Sequence, residues 1–236
     1  MNWRATYIAA QLAAAAYAET LVQAVLGFNA LGYAMLGHYL NADHQAFLLH
    51  NADGYTLAIS GTRFGRSLGD LLDDADIVPV DLGDGVQVAK GPYNGMGAMW
   101  VWVQSLTHAT PDADFAVCGH SLGGERTLLT ELFLPATRIR ALYAFEAPKC
   151  GNDLLWRKLA QSMGKTTTVI NGQDLWAGWP LVSTWEHPPM PHVHLNGATW
   201  GWVGPAEWPA AVSPDDHSIS MVVDRLGKIA DAMPAM

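Results

Sequence analysis

The sequence predicts an α/β domain in which a central, mostly parallel β-sheet is flanked by helices. Half of the 236 residues are apolar and only 15% are charged, which is typical of a globular protein. No run of about 20 strongly apolar residues is present, so no transmembrane helix is expected. Strand-like and helix-like segments alternate through residues 114–171, which is the order expected of a parallel sheet with helices on its faces.

The chain begins with an alanine-rich segment that we interpret as a first helix. Alanine is the best helix former, and Ile8, Leu12 and Ala15 fall on one helical face. Residues 16–18, Ala-Tyr-Ala, resemble a signal-peptide cleavage site. A secreted precursor is therefore the alternative to a cytoplasmic protein that keeps this helix.

The remaining elements follow in order along the chain. Residues 45–51 and 54–61 predict two strands of a hairpin, because the Asn-Ala-Asp-Gly segment between them is a turn signal. Further strands are predicted at 86–90, 114–119, 140–148, 165–171 and 192–196, and helices at 67–72, 93–109, 122–134, 152–162 and 218–232. Pro135 would end the predicted helix 122–134, and Asn152 would cap the predicted helix 152–162. No linker or repeat divides the chain, so residues 1–236 are predicted to form one domain.

Charge and cysteine content restrict the classes of partner and the redox chemistry. The formal net charge of −9 argues against nucleic acid and anionic membrane surfaces as main partners. Cys118 and Cys150 each lie in apolar, strand-like sequence, which favours buried reduced thiols over a single disulfide bridge.

A nucleophilic serine is predicted at Ser121. The segment Gly119-His120-Ser121-Leu122-Gly123 follows a predicted strand and precedes a predicted helix. A sharp strand-to-helix turn needs small residues on both sides of the serine, and it lifts the hydroxyl above the sheet. The N-terminus of the helix then favours the negative charge that develops when the serine attacks a carbonyl.

A serine hydroxyl needs a histidine base, and the histidine needs a carboxylate that fixes its tautomer. In α/β-hydrolases these residues follow the serine in the order acid, then histidine. Asp174 follows the predicted strand 165–171 and is the preferred acid, with Asp153 as the rival. His217, just before the last helix, is the preferred base. His192 and His194 share one face of a short strand, but no third ligand has suitable spacing, so no metal site is predicted.

The oxyanion of the reaction also needs backbone N–H donors. Leu122 follows the serine, and Thr62 follows Gly61 at the end of an early strand. Both are candidates for the oxyanion hole.

Several segments in order resemble class 3 lipases, the fungal-type triacylglycerol lipases with their feruloyl-esterase and bacterial relatives. The likeness spans roughly residues 8–230. Its segments are Ile59-Ser60-Gly61-Thr62, "LGDLLDDADIVPV" (68–80), "VAKGPYNGM" (88–96), "GHSLGG" (119–124), "YAFEAPKCGN" (143–152), "VINGQDLW" (169–176) and "DHSISM" (216–221). The resemblance implies an α/β-hydrolase fold, a catalytic triad of Ser121, Asp174 and His217, and an oxyanion hole at Thr62 and Leu122.

The sequence departs from the family pattern at four positions near this site: Ser60, Glu125, Arg126 and Glu146. Glu125 and Arg126 replace small residues after the serine turn. Ser60 stands where the family usually has arginine, so the oxyanion segment must be held differently. Glu146 replaces a glycine, and a carboxylate there would be costly without a partner. We expect Glu146 either to pair with Arg126 or to form a hydrogen bond with the serine turn.

The expected activity is hydrolysis of a small-molecule or lipid carboxylic ester through an acyl-enzyme, without a metal or organic cofactor. The resemblance implies a lid at residues 63–76 that contacts a lipid interface transiently; a solvated loop is the alternative. Six tryptophans between acid and base either line an acyl pocket or pack a loop-rich flank. Thioesters, amides, acyl transfer and a catalytically silent binding protein remain alternatives. Acyl-chain preference and oligomeric state are not fixed by the sequence.

Overall fold

The computed structural model describes residues 1–41, 44–62, 76–181 and 184–233, and these residues form a central sheet of eight strands. The strand order is β1-β2-β3-β6-β7-β8-β9-β10, and β3, β6, β7, β8 and β9 run parallel. The strands are β1 Ala34–Asn41, β2 His44–Asn51, β3 Gly54–Ile59, β4 Pro79–Asp81, β5 Gln87–Ala89, β6 Phe115–His120, β7 Ile139–Phe145, β8 Thr166–Asn171, β9 His192–Asn196 and β10 Thr199–Val203. The predicted fold class, an α/β-hydrolase with a mostly parallel sheet, is confirmed.

Helices cover both faces of this sheet. They are α1 Trp3–Ala15, α2 Leu21–Ala30, α3 Lys90–Tyr93, α4 Met96–Thr107, α5 Leu122–Leu128, α6 Asp153–Lys158, α7 Ala160–Met163 and α8 Ile219–Ala232. Alternate strand residues enter two separate cores: Leu48 packs with the α4–α6 side, and Phe47 and Leu49 pack with α1, α2 and α8. Among the described residues, no helix is long and apolar enough to cross a membrane.

Several predicted elements differ from the structure in extent. The predicted helix 93–109 is interrupted because Gly95 has a left-handed φ of 78°, so α3 and α4 are separate. The predicted helix 122–134 ends at Leu128 and is followed by a 3-10 turn, Thr130–Leu132. The predicted helix 152–162 is divided into α6 and α7, although Asn152 caps it as expected. Helix α2 and strands β1, β4 and β10 were not predicted, and the predicted helix at 67–72 lies outside the described residues.

The predicted N-terminal helix, the hairpin of β2 and β3, and the last helix are all present. Cys118 and Cys150 are free and buried. Ser121 and Asp174 follow the carboxyl ends of β6 and β8, and parallel strands present their carboxyl ends at the same edge of a sheet.

Candidate active site

Ser121 lies in a strained turn between β6 and α5. Its φ of 58° and ψ of −128° are unusual for a residue other than glycine. The turn is held by a hydrogen bond of 3.0 Å from the Ser121 N–H to the carbonyl oxygen of Phe145. The serine hydroxyl makes no capping bond to the helix that it precedes. Ser121 directly follows the last residue of β6, so it lies at the carboxyl edge of the sheet.

Two glycines make this turn possible because neither position has room for a side chain. A Cβ atom at Gly119 would lie 2.2 Å from the carbonyl oxygen of Gly123. A Cβ atom at Gly123 would lie 2.4 Å from the carbonyl oxygen of Ile59. The second contact brings the end of β3 directly against the turn.

The candidate oxyanion segment lies beside Ser121. A Cβ atom at Gly61 would be 2.9 Å from the Cβ atom of Ser121, and Thr62 is buried. Leu122 is the first residue of α5, so its N–H has no acceptor within the helix. The two predicted donor residues therefore flank the serine.

The Gly61 peptide is held by a residue that the sequence analysis did not identify. The Gly61 N–H donates a hydrogen bond of 2.9 Å to the hydroxyl oxygen of Tyr17. Ser60, which replaces the family's arginine, donates its hydroxyl hydrogen to the carbonyl oxygen of Gln45 at 3.2 Å. Tyr17 lies in the segment that resembles a signal-peptide cleavage site, and no local pattern indicated its contact with the site.

Asp174 and His217 form a buried pair. Nδ1 of His217 lies 2.8 Å from Oδ2 of Asp174, and the other carboxylate oxygen accepts the Trp176 N–H at 2.8 Å. The two loops are tied together because the Asn171 side-chain amide donates to the carbonyl oxygen of Asp216 at 2.7 Å. The carboxylate is therefore fixed on both oxygens, and it can fix the imidazole in turn.

The second nitrogen of His217 is available for chemistry. Nε2 is buried and has no hydrogen-bond partner among the described residues. The His217 ring lies 4.8 Å from the ring of His120, the residue that precedes Ser121. With Nδ1 bonded to a carboxylate and Nε2 free at the serine turn, the imidazole can take a proton from a hydroxyl.

Asp153, the rival acid, lies away from this arrangement. It begins α6 and forms an exposed ion pair of 2.6 Å with Arg157 on the same helix.

Glu146 forms a hydrogen bond with the serine turn and does not pair with Arg126. Its Oε2 atom lies 2.7 Å from Nε2 of His120. The Arg126 guanidinium instead donates to the carbonyl oxygens of Pro92 and Asn94, at 3.2 and 3.0 Å. Of the two expectations for Glu146, the contact with the serine turn is correct and the pair with Arg126 is wrong.

In the part of the chain that the structure describes, one group of side chains could hold a metal ion: His120, Glu146 and His217, with ligand atoms within 4.8 Å of one another. His192 and His194 do not belong to it. His192 bonds the Thr168 hydroxyl at 2.6 Å, and burial lowers its pKa to about 4.

The six tryptophans do not form one pocket. The Trp176 ring lies 6.5 Å from that of His217 and packs against Trp179. Trp208 stacks on His187 at 3.5 Å, and Trp200 packs against Trp3 at 4.5 Å. Trp185 belongs to one hydrophobic core, and Trp202 is exposed.

The predicted lid at 63–76 lies outside the described residues except for Asp76.

Solved structures of fungal lipases share this fold. Lipase II from Rhizopus niveus is 18% identical with a TM-score of 0.73, over 91% of this chain and 92% of that chain. The Rhizomucor miehei lipase–propeptide complex is 18% identical with a TM-score of 0.70, over 91% and 78%. A triacylglycerol lipase whose catalytic centre is described as a serine protease triad is 19% identical with a TM-score of 0.66, over 83% and 80%. A comparison with curated protein sequences gives no significant match.

The family model described as "Lipase (class 3)" matches residues 56–183, just over half of the chain. The matched region contains the oxyanion segment, the serine turn and Asp174. The chain therefore belongs to the class 3 lipase family and is a carboxylic ester hydrolase of the α/β-hydrolase fold.

Proposed function

We propose that this chain hydrolyses lipid or small-molecule carboxylic esters through an acyl-enzyme, with Ser121 as nucleophile, His217 as base and Asp174 as the acid that orients the base. The observation that supports this most strongly is the buried 2.8 Å contact between His217 and Asp174, which leaves Nε2 free beside the serine turn. The serine protease triad described for one structural neighbour is consistent with these roles.

In the proposed acylation step, Nε2 of His217 takes the proton from the Ser121 hydroxyl while Oγ bonds to the ester carbonyl carbon. The carbonyl oxygen becomes an oxyanion and accepts hydrogen bonds from the N–H groups of Thr62 and Leu122. When the oxyanion collapses, the bond to the alcohol breaks, and His217 gives its proton to the leaving alkoxide. Water then repeats the sequence on the acyl-enzyme and releases the acid.

A series of p-nitrophenyl esters of increasing chain length tests this proposal, with Ser121→Ala as the test variant. We expect wild-type turnover, and a loss of kcat of more than about 1,000-fold in the variant. Ser220→Ala is the matched control, because Ser220 is exposed on α8 and should leave turnover unchanged.

The outcomes also separate the alternatives. No turnover of any ester, with thioester or amide turnover that needs Ser121, would point to those reactions instead. No turnover of any acyl compound would favour a silent binding protein. A steep preference for long chains that rises at an oil–water interface would identify a lipase, and a preference for short soluble esters would identify an esterase.

A further inference from the structure

A buried chain of hydrogen bonds lies beside the proposed triad, and the proposed mechanism does not use it. Oε2 of Glu146 lies 2.7 Å from Nε2 of His120, and Nδ1 of His120 lies 2.7 Å from the hydroxyl oxygen of Tyr17. That same oxygen accepts the Gly61 N–H at 2.9 Å. The chain therefore runs from the end of β7 to the candidate oxyanion segment.

His120, the middle member, also contacts the proposed base. Its ring is 4.8 Å from the ring of His217, and the two planes are inclined by 38°. Both rings are buried. Any change in the orientation of His120 is therefore transmitted to His217 on one side and to Tyr17 on the other.

Glu146 is an unfavourable residue for its position unless it has a role. It has a left-handed φ of 51°, a conformation that favours glycine, and the resemblance to class 3 lipases implies a glycine there. Its side chain is fully buried. Burial, with added repulsion from Asp174 and Asp216, raises the pKa of the Glu146 carboxyl well above its ordinary range. Strain and an interior carboxyl next to reacting groups are features of functional sites.

We propose that Glu146 is a positioning residue for ester hydrolysis, which acts through His120 and Tyr17 to hold the Gly61–Thr62 peptide and the His217 ring in their reactive places. This inference rests on the proposed function, since it concerns the geometry of the same reaction.

The hydrogen-bond chain is continuous in both protonation states of Glu146. When Glu146 is protonated, its O–H donates to Nε2 of His120, and the Nδ1–H of His120 donates to the Tyr17 oxygen. When Glu146 is ionised, its oxygen accepts the Nε2–H, and the Tyr17 hydroxyl donates to Nδ1. In both cases the Tyr17 oxygen keeps a lone pair for the Gly61 N–H. Without the Glu146 carboxyl, Nε2 of His120 loses its hydrogen-bond partner, and the His120 ring is no longer fixed at that end.

Glu146→Gly and Glu146→Gln separate positioning from a purely structural role. Glycine accepts the left-handed backbone and removes the buried carboxyl, so the variant should unfold at a urea midpoint no lower than wild type. Its kcat on p-nitrophenyl butyrate should nevertheless fall about 10- to 100-fold, with KM changed less than about threefold. Glutamine can still bond His120, so it should keep kcat within about threefold of wild type.

A matched control and a second variant complete the experiment. Glu125→Gln alters another buried glutamate outside the hydrogen-bond chain and should leave kcat unchanged. Tyr17→Phe removes the acceptor of the Gly61 N–H and should lower kcat as Glu146→Gly does. The double variant should be no slower than the slower single variant, since both break one chain.

The inference is overturned if Glu146→Gly keeps wild-type kcat, or if its kcat falls only in proportion to lost stability. It is also overturned if Glu146→Gln is as slow as Glu146→Gly. The rate at which a fluorophosphonate inactivates Ser121 gives a readout that needs no ester turnover. If Glu146→Gly is inactivated at the wild-type rate, the positioning role of Glu146 is wrong, whatever the result for ester hydrolysis. If the wild-type protein turns over no ester, the proposed function fails. A slower inactivation of Glu146→Gly would in that case still support the positioning role.

Discussion

Nδ1 of His217 lies 2.8 Å from Oδ2 of Asp174, although 43 residues separate them in the chain. The contact is made because the loop after β8 and the loop before α8 are joined by several hydrogen bonds. The Leu175 N–H donates to the carbonyl oxygen of Ser213 at 3.1 Å. The Ser213 N–H donates to the carbonyl oxygen of Gln173 at 2.8 Å. The pair is therefore held by backbone contacts that do not depend on the charge of either side chain.

Asp174→Asn should abolish most of the activity while the protein stays folded. The Asn oxygen can still accept the Trp176 N–H, and its NH2 group would then face Nδ1 of His217. An NH2 donor there forces the proton onto Nε2, so the imidazole can no longer accept the Ser121 proton. We expect kcat on p-nitrophenyl butyrate to fall about 1,000- to 10,000-fold, measured together with a urea unfolding curve.

The control for this variant is Asp153→Asn, which changes the rival acid. Asp153 is half-exposed, and its partner Arg157 lies on the same helix. We expect kcat to stay within about twofold of wild type, because exposed ion pairs contribute little. Equal losses in the two variants would contradict the assignment of Asp174.

The parts of the fold predicted from sequence are those with strong local signals. The strand β6, the glycine turn and the start of α5 were predicted because Gly119 and Gly123 mark a place where only small residues fit. Asp174 and His217 were identified because the acid and then the histidine follow the serine along the chain of α/β-hydrolases. Their contact of 2.8 Å is consistent with that order.

The parts that were missed depend on contacts between distant segments. Tyr17 and His120 are 103 residues apart, and no pattern around either one indicates the other. For Glu146 the sequence left two alternatives, a pair with Arg126 and a hydrogen bond with the serine turn. Only the folded chain shows that Arg126 donates to backbone carbonyl oxygens instead. Strand β1 was missed because it is an edge strand with Leu36 and Leu40 exposed, so it lacks a clear buried face.

Gly119→Ala should destabilise the protein strongly, because a Cβ atom there would lie 2.2 Å from a backbone oxygen that cannot move independently. We expect the free energy of unfolding in urea to fall by about 2–4 kcal/mol. Gly164→Ala is the control: it has open space and a helical φ of −66°, so alanine should be neutral or stabilise by up to about 1 kcal/mol. Similar stabilities for the two variants would show that the turn is not packed as described.

The two thiols should be unreactive in the folded protein. Cys118 and Cys150 are both buried, and burial raises the pKa of each thiol above its ordinary value. Because the thiolate is the reactive form, Ellman's reagent at pH 8 should release almost no thionitrobenzoate from native protein. After denaturation in guanidinium, two equivalents per chain should be released. Rapid reaction of one thiol in the native state would contradict its burial.

Glu125 should make the stability of the protein depend on pH. Burial raises the pKa of its carboxyl from the ordinary 4.5 to about 8, and the positive charge of Arg126 opposes this only in part. Because the folded state holds the proton more tightly than the unfolded state, the stabilising contribution is complete below pH 4.5 and is lost as the pH rises through 8. The loss should not exceed about 1.4 kcal/mol per pH unit.

Glu125→Gln should remove this contribution, because a neutral amide has nothing to ionise. The test is the difference in the free energy of unfolding between wild type and variant, measured in urea from pH 5 to pH 9. Since both proteins share every other buried group, including Glu146, their contributions cancel in the difference. We expect the variant to gain stability relative to wild type as the pH rises to about 8, and then to keep that gain. A flat difference for Glu125→Gln would show that Glu125 is ionised at low cost in the folded protein.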